Sequence, residues 1–141
     1  KLDASSYVSL EDILLNLSKL SVLENISSIT IYLDVKYINF EESIENYKYP
    51  ELSKKLCLLA SSSSKETSIE IDDMRHSVFS YFLMKGLKGD AHGDDKILEI
   101  GELAEYLYRK VPDYTKNLDN GVSQNPEFIG SDLKRILIDL R

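Results

Sequence analysis

Apolar positions along the chain alternate between helical and strand-like spacing. After Ser9, the residues Leu10, Ile13, Leu14, Leu17 and Leu20 recur on one helical face. Ser9, with Asp12 three positions on, makes a capping pattern that predicts a helix opening there. Residues 29–34 (ITIYLD), rich in Ile and Tyr, predict a first strand. KLCLLA, residues 55–60, is a short continuous apolar run bounded by polar residues, the pattern of a strand buried on both faces. Four serines, 61–64, close it, with hydroxyls suited to backbone groups freed at a sheet end.

Further on, HSVFSYFLMKGLKG (76–89) carries Val78, Phe79, Phe82, Leu83 and Leu87 on a helical stripe, ended by Gly86 and Gly89. Another helix is expected from about Glu99 to Lys110, with Ile100, Leu103, Ala104, Leu107 and Val111 toward the core and Pro112 stopping it. EESIEN through Tyr49-Pro50 reads as loop with a helical turn, and NLDNGVSQNPEF as loop. The tail LKRILIDL fits a strand or a short helix equally. Strands alternating with helices predict an α/β sandwich with a mostly parallel sheet.

The length of 141 residues predicts a single domain over 1–141. A net charge of -7 repels phosphate backbones, so nucleic acid is not an expected partner. No apolar run approaches bilayer-spanning length, so no membrane partner is expected either. The single cysteine, Cys57, excludes an intrachain disulfide and suits a reducing, cytoplasmic setting. One Cys and two His exclude a structural zinc site, and no metal or cofactor is expected.

Candidate chemistry narrows quickly. DAHGDDKILEIGE fails as a calcium loop: from Asp90, the third position is His92, the sixth Asp95 and the twelfth Gly101, where the loop requires an oxygen ligand, Gly and Glu. Cys57 lies inside an apolar run with no histidine nearby in sequence, as an inert core thiol does. His76 precedes an amphipathic helix and reads as a surface residue at its start. The remaining oddity is SITIYLDVKYINF, where an apolar strand ends on Asp34 and then Lys36.

VFSYFLMKGLKGDA, residues 78–91, resembles a helix of the caspase and metacaspase family of cysteine endopeptidases, especially its bacterial members. The matching residues are Phe79, Ser80, Tyr81, Leu83, Gly86, Leu87, Gly89 and Ala91. CLLASSSSKETSIE resembles the family's preceding strand and loop, ending in its S-x-E pattern, and GELAEYLYRKV its following helix. QNPEFIG, with Gln124 and Pro126, is similar to its closing Q-x-P motif, and LDASSYVSLEDILLNL to the entry of an early helix. The resemblance spans nearly the whole chain. It implies a caspase-like three-layer sandwich whose N-terminal strands lie outside this chain.

On that resemblance, IYLDVKY falls on the strand end that bears the thiolate nucleophile. Lys36 occupies the nucleophile position, and an ammonium cannot perform thiolate attack on a carbonyl. Tyr37, Ile38 and Asn39 replace the small residues that leave room for substrate. Asp34 and Glu70 match acidic positions of the pocket that receives Arg or Lys in basic-specific members, and Lys36 is placed to neutralise Asp34. The family's histidine belongs to a segment preceding this chain, so neither half of the Cys-His dyad is expected here. The implied function is a non-catalytic pseudoprotease acting as a regulatory or interaction module. The alternative is an active endopeptidase cleaving after Arg or Lys, with its histidine in a missing N-terminal part and Cys57 as the only available thiol. Either way, the first strand would have a bare edge, so the chain is expected to be part of a longer protein or to pair with a protein partner.

Overall fold

The computed structural model describes residues 9–35, 50–63, 66–71, 75–118, 122–130, 132–139 and 141. Lys36 and its neighbours Tyr37, Ile38 and Asn39, and the EESIEN stretch, lie outside the described residues. Helix α1 spans Leu10–Ser21. Its N-terminus is closed as the capping pattern requires: Ser9 Oγ accepts the Asp12 N–H at 3.0 Å and donates to Asp12 Oδ2 at 2.7 Å. Leu14 is fully buried, whereas Ile13 and Leu20 on the same apolar stripe stay exposed. The expected core face of α1 is therefore only half covered.

Strand β1 (Ile29–Leu33) is followed after the undescribed segment by a short helix α2, Pro50–Lys55. The loop with a helical turn expected through Pro50 lies outside the described residues but for Pro50 itself, where α2 begins; α2 runs on to Lys55, the residue expected to open the next strand. Six residues are too few to show a period, yet the local signals are helical: Pro at the first position, Glu51 in the first turn, Lys54 and Lys55 in the last. Leu52 of α2 is fully buried. Strand β2 (Leu56–Ala60) is buried along its whole length, as its continuous apolar run predicts. Two-residue strands β3 (Glu70–Ile71) and β4 (His76–Ser77) lead into helix α3, Val78–Lys85, which opens into a wider π-type turn, Gly86–Asp90. Gly89 there has φ 121°, a conformation that explains glycine at this stop.

Strand β5 (Ile97–Glu99) precedes helix α4, Ile100–Thr115. The helix passes through Pro112 instead of stopping at it. Pro112 lies in the last turn, so its missing N–H removes a single intrahelical bond, from the Tyr108 carbonyl. Strand β6 (Glu127–Ile129) takes Glu127 and Phe128 out of the expected loop, and the ambiguous tail resolves as strand β7, Ile136–Asp139.

The fold is mixed α/β. One sheet has the order β1-β2-β6, and β3-β4 and β5-β7 form two-stranded ribbons. Among the described residues, parallel pairing is confined to β1 and β2, in the register Ile29↔Leu56 through Leu33↔Ala60. The pairs β2–β6, β3–β4 and β5–β7 are antiparallel, so the expected mostly parallel sheet is not what these residues form. An apolar run reports burial; strand direction is set by the connections.

Alternation along β1 sorts the core into two faces. Ile29, Ile31 and Leu33 join Leu56, Leu58 and Ala60 of β2 against Leu14 of α1 and Leu52 of α2. Tyr32, Cys57 and Leu59 face the other way, with Phe79 of α3 and Leu103 and Leu107 of α4. Arg135 ties the lead into β7 to the opposite end of the sheet, donating from Nη1 to the carbonyls of Ile29 (3.3 Å) and Lys55 (3.0 Å). No helix among the described residues is long and apolar enough to cross a membrane.

Candidate functional site

Asp34 follows Tyr32 by two positions and so points to the sheet face covered by α3 and α4. Its carboxylate reaches the start of α3. Ser80 Oγ donates to Oδ2 at 2.6 Å, Ser77 Oγ also donates to Oδ2, and Ser68 Oγ donates to Oδ1 at 2.7 Å. Ser77 is at the same time the N-cap of α3, accepting the Ser80 N–H at 2.9 Å. One carboxylate thus links the end of β1, the loop before β3 and the first turn of α3. Partial burial acts to raise the Asp34 pKa, but the hydrogen bonds from Ser77, Ser80 and Ser68 outweigh it and hold the group below the usual carboxylate range. Asp34 is an anion with most of its acceptor capacity already taken.

The end of β2 is fixed to the same region. Ser61 Oγ accepts the Val35 N–H at 3.2 Å and donates to the Val35 carbonyl at 3.0 Å. The buried Gln124 then bridges from behind: its Nε2 donates to the Ser61 carbonyl at 2.8 Å, and its Oε1 accepts the Ile69 N–H at 2.9 Å. Its own backbone N–H donates to Thr115 Oγ1 at the end of α4, at 3.1 Å.

A cavity of about 470 Å³ opens here, lined by Asp34, Ser68, Glu70, Arg75, His76 and Ser77 among others. Asp34 and Glu70, matched to the same pocket by resemblance, do line one cavity. Glu70 is exposed on β3, paired with Ser77 across the ribbon. The cavity is not purely acidic, because Arg75 and His76 share its wall. Arg75 has φ 55°, an uncommon conformation for a side-chain-bearing residue, in the turn between β3 and β4.

Cys57 lies elsewhere. It pairs with Thr30, three register positions back from the Leu33↔Ala60 end, or about 10 Å along the strand. The thiol is fully buried, and burial pushes its pKa up against the weaker opposing effect of Arg135. Neither the acidity nor the access of a nucleophile is provided. His76 is exposed, as expected at a helix start, and His92 lines a separate cavity beside Glu102 and Arg109. Among the described residues, no group of three or more His, Cys, Asp or Glu could hold a metal ion.

Sequence reasoning did not single out Ser77, Arg75 or His76 as cavity residues. The one available signal for Ser77 was its cap position before an amphipathic helix. No protein-family model, curated protein or solved structure matches this chain.

Proposed function

We propose that the chain is a caspase-like domain without catalytic activity, a cytoplasmic pseudoprotease that serves as a regulatory or interaction module for a protein partner. The observation that carries this is the separation of its parts: Asp34 and Glu70 share a cavity, while the one thiol is sealed in the core about three residue steps away. In the sequence, Lys36 stands two residues after Asp34, at the position where the resembled family has its thiolate-bearing cysteine. Asp34 serves as an anchor for α3, with three serine hydroxyls directed at its carboxylate. The sequence resemblance and helices on both faces of the β1-β2-β6 sheet support a caspase-like three-layer arrangement.

The test is a cleavage assay of the purified chain on peptides with Arg or Lys before the scissile bond. The expected result is no turnover above buffer, unchanged in Cys57→Ala. Turnover abolished by a thiol-alkylating reagent would overturn the proposal.

A further inference from the structure

A further cavity, of about 500 Å³, opens between α3 and the C-terminal turns of α4. It is lined by Phe82, Lys110, Asp113, Tyr114, Asn117 and Leu118 and shares none of these with the Asp34 cavity. That volume and an aromatic floor suit a small-molecule pocket, which closes apolar surface around its ligand and fixes it with few polar groups. Phe82 centres the floor: its ring meets those of Tyr81, Tyr106 and Tyr114 edge to face, at centroid distances of 5.2, 6.4 and 5.9 Å. Phe82, Tyr114 and Leu118 are partly buried, so each leaves apolar surface open to the cavity. The residues that follow Leu118 (DNG, 119–121) lie outside the described residues and carry no apolar side chain to fill it.

The polar groups of the rim are unequally committed. Asp113 is ion-paired to Lys116 through Oδ1, and its backbone carbonyl accepts Asn117 Nδ2 at 2.7 Å. Lys110 is exposed, and among the described residues it makes no hydrogen bond or ion pair. The rim thus keeps one positive charge without a partner, on a chain whose net charge is -7. We infer that this cavity binds a small aromatic monoanion, an aryl carboxylate, with its ring against Phe82, Tyr114 and Leu118 and its carboxylate on the Lys110 ammonium. The bound ring extends the edge-to-face cluster that Phe82 centres. A monoanion gains from Lys110 at short range, whereas an acidic protein segment would meet the repulsion of the whole chain. The site stands apart from the pseudoprotease assignment.

The test is an amide-resolved nuclear magnetic resonance titration of the full chain with naphthoate, naphthamide and naphthylmethylammonium, which share a ring system and differ in charge. Naphthoate is expected to shift the signals of Phe82, Tyr114 and Leu118, with a dissociation constant of about a millimolar or tighter. The other two are expected to bind more weakly, the cation least. Lys110→Glu is expected to weaken naphthoate at least about fivefold and to leave naphthamide unchanged. Lys19→Glu makes the same change of net charge on α1, across the sheet, and is expected to leave both unchanged. Both lysines are exposed, so each variant should keep the wild-type spectrum in the absence of probe. Absence of shifts at the floor residues, equal affinity for the three probes, or equal losses in the two variants would overturn the inference. So would an acidic peptide that binds this site where naphthoate does not.

Discussion

Ser77 donates its hydroxyl hydrogen to Asp34 while its oxygen accepts the first-turn N–H of α3 from Ser80. One hydroxyl thus caps a helix and fixes that helix to the end of β1. Ser77→Ala should cost about 2–3 kcal/mol, a lost cap together with a lost hydrogen bond to a carboxylate. Urea unfolding of Ser77→Ala, Asp34→Asn and the double variant should reveal coupling; strictly additive losses would show that the two act independently.

The same anchor sets an acid limit on stability. Asp34 has a lower pKa folded than unfolded, so its contribution is complete above the ordinary Asp value of about 3.9 and is lost as pH falls through the folded value. In that window the unfolded chain binds more protons, so stability rises with pH. Asp34→Asn should flatten the stability profile below about pH 4 relative to wild type. Superimposable slopes would contradict the role given to the three serines.

Gln124 should tolerate no apolar replacement. Gln124→Leu leaves the Ile69 N–H and the Ser61 carbonyl without their partner, at a cost of about 2–4 kcal/mol. Hydrogen exchange at Ile69 should accelerate with it.

Gly101 is held by a close approach. A Cβ there would stand 2.9 Å from the Leu133 carbonyl oxygen, the atom that accepts the Gly101 N–H. Gly101→Ala should lower stability by about 1–3 kcal/mol and loosen the segment leading into β7, detectable as faster exchange at Ile136–Asp139.

The elements legible in the sequence were those long or apolar enough to display a period: α1, β1, β2, α3 and α4. Helix α2 and the ribbons of β3, β4 and β5 have six residues or fewer, too few for a period to emerge. The direction of β6 depends on how the chain returns from α4, which no local pattern encodes. At the site, Asp34 and Glu70 were found by resemblance alone. The serines that bind Asp34 lie 34, 43 and 46 positions away, and contacts of that range leave no trace in spacing. Counting alternate residues from Tyr32 does place Asp34 on the face of α3, a clue that was readable.

The central claim is that no nucleophile serves this cavity. Incubating the chain with a peptide electrophile bearing Arg or Lys at its reactive end, followed by mass spectrometry, tests this most directly. The account predicts an unmodified native chain, with Cys57 labelled only after denaturation, since the thiol is fully buried. A single adduct on native protein, at Cys57 or any residue of the cavity, would contradict it.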